Sequence, residues 1–582
     1  MIKRLSRQMT IPQILSVMTG SLCLLIDSIM IGQMLGVEAM SAFGLAAPIP
    51  IVFAAAGTML ANGIQIVCAR ALGYGDKERA GICLSSSVVL ALVIAVVAML
   101  LIFILRDPIC VMLGAAKANE TVFRMTGEYL TGYALLAPFF FLNQIAAPYL
   151  QAMGKRTQLV RAVAAMIATN VICDFCAVRF LHAGMFGIGV SSGLSFLVSA
   201  LVCLIPFLRK DCLFKMSLKG TDVKTAGEIL RCGSPVIVAQ ILFVLRVYCY
   251  NRLLLSISGT EAVAAFSVLG TLGNILYSCG LGAGSVTMLL GSLFYSERDR
   301  ESLCKLIRRM LPYTTLLITI GVVVFELASH QILLLFFEKT APVYTIARTG
   351  FYFLILAQIA NCLSSVYKLY VQSIGHTGFT HLISALEGLV MPVAFAWIFS
   401  RIWGLNGVWI GTLCGQFLTL LVIALIVWKK RGRISCSAET FAYLDADFGV
   451  SPSDCREYSV KDKDSAIDTS KQAAAFCEER GLDSKLSLLI SLCIEEMCMN
   501  VIEHGFNEGK KKNHLDVRLV LEEDRHVIRF RDDCTLFDPT DYVALHQDTD
   551  PSAHIGLRMI MALVKNASYV NSLGLNNLTL IL

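Results

Sequence analysis

The feature that most constrains this chain is a recurrence of apolar runs, over its first 430 or so residues, each long enough to cross a lipid bilayer. A hydrocarbon core about 30 Å thick needs roughly 20 residues of helix. Ile82–Leu105, Ile188–Leu208, Tyr313–Phe337 and Val408–Trp428 each supply that length. In hydrocarbon every backbone polar group must be satisfied within the segment, so such runs predict helices. The composition agrees: 16% of the residues are charged, against about 25% in soluble domains. Only Lys3, Arg4 and Arg7 precede the first run, and no small-residue cleavage site follows it, so it reads as an uncleaved span. The formal net charge of +6 is explained by topology and points to no nucleic-acid partner.

Breaking the runs at polar, Gly or Pro clusters predicts about twelve spans: 12–35, 46–69, 82–105, 124–150, 158–181, 185–208, 233–257, 263–290, 307–337, 348–374, 379–400 and 405–428. An even count puts both termini on one side. Basic residues crowd alternate loops: Lys155, Arg156 and Arg161; Arg209, Lys210, Lys215, Lys219, Lys224 and Arg231; Arg298, Arg300, Lys305, Arg308 and Arg309. Lys429, Lys430, Arg431 and Arg433 follow the last run. The positive-inside rule makes that side cytoplasmic, so the expectation is a multi-pass protein of the inner (cytoplasmic) membrane with both termini in the cytoplasm. Most of the 20 cysteines sit singly in apolar runs and read as small hydrophobes. The Cys173/Cys176 pair lies inside a span and lacks the second pair or histidine of a metal site.

Two sequence echoes divide this region. Tyr149-Leu-Gln151-Ala-Met-Gly154 returns as Tyr370-Val-Gln372-Ser-Ile-Gly375, and Gly36-Val-Glu38-Ala as Gly259-Thr-Glu261-Ala, at offsets of 221 and 223. Parallel repeats of six spans imply two lobes related by an axis along the membrane normal, 1–215 and 216–433, with a path between them and rocking as the transport motion. A channel reading survives, although nothing resembles a carbonyl-lined filter.

Ionisable side chains at bilayer depth are costly and mark functional sites by default. Asp27 lies mid-way along the first span, and Asn170 and Asp174 lie one helical turn apart in the fifth. Two carboxylates and an amide oxygen could hold a small cation, or a carboxylate could take up a proton; each could equally pair locally for packing.

Residues 10–430 resemble the MATE multidrug and toxin extrusion family, through Pro12-Gln-Ile-Leu, Asp27-Ser-Ile-Met-Ile-Gly32, Ala69-Arg-Ala-Leu-Gly73-Tyr-Gly75-Asp76 and the paired Gln-x-x-Gly elements. The resemblance implies that Asp27, Asn170 and Asp174, with Ser192 in place of a Thr, form a Na+ or H+ site. It further implies antiport of organic cations, drugs or metabolites by alternating access. Phe175 stands where Pro is usual. Arg246 and Lys368 occupy spans where some relatives carry carboxylates, which argues against a second cation site there; Glu326 and Glu387 are the remaining acidic residues of that lobe. Phe139, Phe140, Phe141 and Tyr367 could meet organic cations or simply pack. A lipid-linked saccharide flippase is the alternative transport reading.

Past Arg433 the chain becomes charged and mixed in pattern. It reads as a linker, with room for a strand, over 434–464 and an α+β domain over 465–582. Helices are expected at 465–480, 483–506 and 555–565, and strands at 514–521, 526–531 and the terminus. Glu496, Asn500, Glu503 and His504 share one helix face, which could bind Mg2+ or merely be solvated. With Asp532-Asp-Cys534, His554-Ile-Gly556-Leu557 and Gly574-Leu-Asn576-Asn-Leu-Thr579, this part resembles the GHKL ATP-binding sandwich of anti-sigma-factor serine kinases. That resemblance implies Glu496 as general base and Asn500 as Mg2+ ligand. It places His504, Asp532, Gly556, Leu557 and Thr579 around a Mg-ATP. Cys534 replaces an expected Gly.

The fold expected is thus an all-α polytopic protein of twelve transmembrane helices in two lobes, with a GHKL-type α+β tail. Its partners would be the bilayer, a small-molecule substrate and a cytoplasmic protein bound by the tail. Three readings follow: an exporter with a nucleotide-binding regulatory tail, a membrane-anchored serine kinase sensing through the transporter part, or an exporter whose tail only docks proteins. No Gly-x-x-x-x-Gly-Lys-[Ser/Thr] loop is present to imply ATP-driven transport.

Overall fold

The computed structural model describes residues 2–115, 120–208, 214, 221–337, 339–340, 342–432, 434–506, 513–522, 525–545 and 555–582. Arg209, Lys210, Lys215, Lys219, Arg433 and His554, which the sequence reading used, lie outside the described residues, as do the lobe and linker boundaries at 215–216 and 433. The first lobe contains α1 (Ile2–Met34), α2 (Val37–Ala46), α3 (Pro48–Gly73), α4 (Lys77–Met112), α5 (Glu120–Leu135), α6 (Ala137–Ala152), α7 (Arg156–Arg179) and α8 (Gly184–Leu204). The second contains α9 (Val223–Gly233), α10 (Pro235–Ser296), α11 (Arg300–Leu327), α12 (Ser329–Leu334), α13 (Pro342–Ser373), α14 (Thr377–Ala385) and α15 (Met391–Arg431).

Among the described residues nine helical stretches are long and apolar enough to cross a membrane, and α5 with α6, bent by 51°, makes a tenth. Thr377–Arg431 runs for 55 residues, or about 80 Å at 1.5 Å per residue, which is two crossings rather than one. Its chain breaks at Trp403 and Gly404, where Gly404 takes φ +57°, and α10 breaks likewise at Gly259, φ +71°. With the 33-residue α1 this makes twelve crossings. Helix α7 continues through Phe175 without a break.

The lobes meet in the half of the bundle that carries the tail. The backbones of α1 and α10 approach so closely at Gly282 that a Cβ there would stand 2.7 Å from Ile14 Cα. Beside that contact, Gln13 donates to Ser285 Oγ (3.1 Å), Ser285 donates to Gln65 (3.1 Å) and Gln65 donates to Gln151 (2.8 Å), with Gln151 closing the circuit onto Gln13. Buried amides satisfied in a ring of this kind fix the lobe–lobe register.

The tail has five antiparallel strands in the order β1-β2-β3-β5-β4, namely β1 (Cys455–Val460), β2 (Leu515–Leu521), β3 (His526–Asp532), β4 (Asn566–Ser572) and β5 (Leu575–Ile581). The strand expected within the linker is β1, the sheet's edge. After a short α16 (Ala438–Phe441), helices α17 (Lys463–Glu479), α18 (Ser484–Asn500), α19 (Pro539–Leu545) and α20 (Ile555–Leu563) complete the tail. Strand parity separates two faces. Val517, Leu519, Ile528, Phe530, Leu578 and Leu580 pack with Ile494, Met497 and Leu557 of the helices. Arg518, Arg529, Arg531, Asn577 and Thr579 point the other way, onto the membrane part.

Candidate functional site

Asp27, Asn170, Asp174 and Ser192 converge inside the first lobe, brought there by α1, α7 and α8. They are 2%, 0%, 0% and 6% exposed. Asn170 Nδ2 donates to Asp27 Oδ1 at 2.9 Å, and Ser192 Oγ donates to Asp27 Oδ2 at 3.0 Å. Asp174 lies beside Asp27, near enough for the two carboxylates to act on each other. Neither oxygen of Asp174, nor Oδ1 of Asn170, holds a hydrogen bond among the described residues, although the Ser191 hydroxyl, which donates to Gly187 O at 2.9 Å, stands near Asp174. An unmet buried acceptor costs about 1–3 kcal/mol, more when charged. Three of them together pool unmet acceptors at one point. Among the described residues no three His, Cys, Asp or Glu side chains gather; the set here is two carboxylates, an amide oxygen and a hydroxyl, all hard oxygen donors.

Sequence reasoning missed the aromatic side of this site. Tyr129 is fully buried, feels both carboxylates, and its hydroxyl has no hydrogen-bond partner among the described residues; Tyr133 and Cys23 stand close by. Tyr129 reaches the site from α5, a different helix, and no spacing in the sequence announces it. In the second lobe the positions 222 residues beyond Asp27, Asp174 and Ser192 are Cys249, Ala396 and Cys414, so the repeat carries no matching carboxylates. That lobe instead buries one ion pair, Lys368–Glu387, with Glu387 4% exposed in a turn of π-helix. Phe140 and Phe141 are packed among Phe53 and Phe196, and Tyr367 donates to Phe441 O at 3.1 Å; these are packing roles. Cys173 and Cys176 are free thiols.

A second site lies on the helix-covered face of the tail. A carboxylate oxygen of Glu496 lies 2.1 Å from where a Cβ on Gly556 would be, so any side chain there would first have to displace that carboxylate. Asn500, one turn on, donates from Nδ2 to Glu496 O at 3.0 Å, which leaves its carbonyl oxygen for another ligand. Asp532 is buried. Its Oδ1 accepts from Cys534 N (3.0 Å) and Asn576 Nδ2 (2.7 Å), which leaves Oδ2 for another donor. Burial raises the Asp532 carboxyl above the usual range, against the Cys534 and Asn576 bonds that lower it. His504 is exposed on the π-helical turn after α18, and Leu557 is buried in the tail core, offering only backbone. Thr579 is not brought to this site. It lies on the opposite sheet face and accepts from Arg529 Nε at 3.3 Å, while Asn576, held by Tyr569 Oη at 2.7 Å, stands beside Asp532. Residues 546–554 lie outside the described ones.

The polar face of the sheet is docked on both lobes. Against the first, Leu573 N donates to Ala152 O (2.5 Å), Arg156 donates to Leu573 O (3.2 Å), and Lys77 pairs with Asp538 (2.7 Å) over the Tyr569 ring. Gly154, at φ +68°, touches Gly574 so closely that a Cβ would lie 2.3 Å from its nitrogen. Against the second lobe, Glu297 pairs with Arg529 (3.4 Å) and Arg531, Asp299 pairs with Arg518, and Lys305 pairs with Glu457 (2.9 Å). Burial alone would raise Glu297, but Arg529 and Arg531 outweigh it and hold the carboxyl below its usual range.

Comparison with known proteins agrees with both halves. The MatE family model matches residues 12–176 and 235–398, and a histidine kinase-like ATPase domain matches 461–582. The multidrug export protein MepA of Staphylococcus saprophyticus is 25% identical over 434 residues, covering 73% of this chain and 93% of its own. The probable multidrug resistance protein NorM of Listeria innocua is 22% identical over 405 residues, 67% of this chain and 86% of its own. A MATE crystal structure in complex with MaL6 superposes with a TM-score of 0.69 at 22% identity, covering 74% of this chain and 96% of its own. One in the bent conformation gives 0.67 at 24%, covering 76% and 97%.

Proposed function

We propose that this chain, which belongs to the MATE family, exports drug-like organic cations or metabolites in exchange for Na+ or H+ taken up at Asp27, Asn170, Asp174 and Ser192. The observation that carries the reading is the set of orphaned oxygens on Asp174 and Asn170, pressed against a carboxylate already holding two hydrogen bonds. A bound ion offsets one of the two negative charges of the pair, and it drives transport to the extent that it binds one lobe arrangement more tightly than the other. The lobes touch in the half that basic loops assign to the cytoplasm, so this conformation is closed on that side. The names of the MepA and NorM relatives support multidrug export. The test is efflux of a panel of cationic dyes from proteoliposomes under imposed Na+ or pH gradients. Asp27→Asn should abolish gradient-driven transport, and intact transport in that variant would remove the site.

The tail supports a regulatory reading because it bridges the lobes. Alternating access requires the two lobes to separate on the cytoplasmic side, and a sheet bonded to Ala152–Arg156 on one and Glu297–Lys305 on the other opposes that separation. Its other face carries residues that fit Mg-ATP: Asn500 Oδ1 for the ion, Asp532 Oδ2 for adenine, and the start of α20 beside Glu496 for phosphates. The nucleotide, when bound, supplies a ligand whose occupancy can shift docking; the chain's own residues orient it and link it to the sheet. Mg-ATP titrated onto the full-length protein should bind saturably and change the efflux rate. A tail that binds no nucleotide would be a fixed clamp.

A further inference from the structure

The seam between tail and second lobe encloses a cavity of about 640 Å³, within the roughly 300–1,000 Å³ of small-molecule sites. Its lining is basic: Lys305, Arg308 and Arg309 from α11, and Arg518, Arg529 and Arg531 from β2 and β3. The acids are Glu457 and Asp516 in the wall, Glu297 and Asp299 behind it, and Glu301, which pairs with Lys305 at 2.7 Å, so six cations face five carboxylates. Two buried guanidinium nitrogens, Arg518 Nε and Arg309 Nε, have no hydrogen-bond partner among the described residues. Arg518 is so crowded by burial and by Arg529 that its pKa is lowered to about 10. Like charges gathered around one cavity repel one another unless an anion lies among them.

We propose that this cavity binds a phosphate-bearing anion. Guanidinium groups in a fork geometry match phosphate oxygens and give charge-assisted bonds, and several around one cavity favour a dianion or polyanion over a single carboxylate. Position allows two sources. Helix α11 has 28 residues, about 42 Å, roughly 12 Å more than the hydrocarbon core, so Arg308 and Arg309, eight and nine residues from its start, stand at headgroup depth. The anion is therefore either a cytosolic phosphate ester or the headgroup of an acidic phospholipid. In both cases it would neutralise the surplus charge on the side of the seam that holds Glu297, and so strengthen docking of the tail.

The test uses full-length protein and the double variant Arg308→Gln/Arg309→Gln, which leaves the Glu297 and Asp299 pairs intact. One arm titrates pyrophosphate into detergent-purified protein. The other measures thermal unfolding in phosphatidylcholine vesicles with and without phosphatidylglycerol. Asn500→Ala serves as control for the nucleotide site. Pyrophosphate affinity falling at least tenfold in the double variant, and unchanged in Asn500→Ala, establishes the site with a soluble ligand. Stabilisation by phosphatidylglycerol that the double variant loses establishes it with a lipid. Neither effect, or effects that survive Arg308→Gln/Arg309→Gln, overturns the proposal. Pyrophosphate binding lost only in Asn500→Ala belongs to the nucleotide site and overturns it too.

Discussion

Replacing Glu297 by Gln should release the tail from the second lobe while leaving the transport path intact. The Glu297 side chain is 4% exposed and contacts two arginines, one of them at 3.4 Å. At an effective dielectric constant near 20, two unit charges at that distance attract by about 5 kcal/mol before desolvation is counted. Removing one member of a buried pair costs about 3–5 kcal/mol, because its partners stay buried and uncompensated. At about 1.4 kcal/mol per factor of ten, even the lower figure reduces the docked population relative to the free one by roughly a hundredfold. Hydrogen exchange on the full-length protein reads this directly: amides of β2 and β3, whose polar face the membrane part covers in the wild type, should exchange faster. Dye efflux should quicken if docking is the brake. The pH dependence follows from the depressed Glu297 carboxyl. Its contribution to docking is complete above the ordinary glutamate range and is lost as pH falls through its lower docked value, so wild-type docking should be flat around neutrality and weaken only in strong acid. Unchanged exchange in Glu297→Gln would refute the bridging argument.

Gly154→Ala attacks the same docking without touching a charge. Its Cβ would stand 2.3 Å from Gly574 N, at a backbone angle L side chains resist, so β4 and β5 amides should lose protection. Asp532→Asn keeps the shape of a buried acid that its surroundings already push toward the neutral form. Because a raised carboxyl withholds stability as pH climbs above the unfolded value, the variant tail should unfold no more easily at pH 7, by circular dichroism melting of the whole protein, yet lose Mg-ATP binding. Lys368→Met should cost about 3–5 kcal/mol by stranding Glu387, whereas Lys368→Met/Glu387→Leu should come near neutrality; thermal unfolding in detergent separates the two. Ser192→Ala removes one hydrogen bond to Asp27 and should weaken ion affinity by about tenfold, from a bond to a charged group worth roughly 1.5–3 kcal/mol.

The membrane architecture was legible because a bilayer leaves few solutions: run length sets the spans, and Gly259 and Gly404 mark breaks where one long helix becomes two. Asp27, Asn170 and Asp174 stood out by rarity, and they do meet. Their neighbour Tyr129 did not stand out, since a tyrosine in an apolar helix looks like packing. In the tail, the helix and strand pattern was readable to within a few residues, but Thr579 was placed on the wrong face. A strand has a period of two, so a motif read three residues off turns the side chain away, and Asn576 holds the place beside Asp532. The docking of tail on lobes had no local signal. Glu297 and Asp299 lie more than 200 residues from Arg518, Arg529 and Arg531, and in a sequence each looks like a solvated charge. Strand parity was the clue, because those arginines alternate with Val517, Ile528 and Phe530 on a sheet that has only one helix-covered face.

The claim that everything else serves is that an ion enters and leaves between Asp27 and Asp174. Current recorded from proteoliposomes on a solid-supported membrane, after a Na+ or H+ jump and without substrate, measures that entry alone. The wild type should give a brief charge displacement for one of the two ions, retained in Glu297→Gln and absent from Asp27→Asn. A displacement of full size in Asp27→Asn would mean that the ion moves elsewhere.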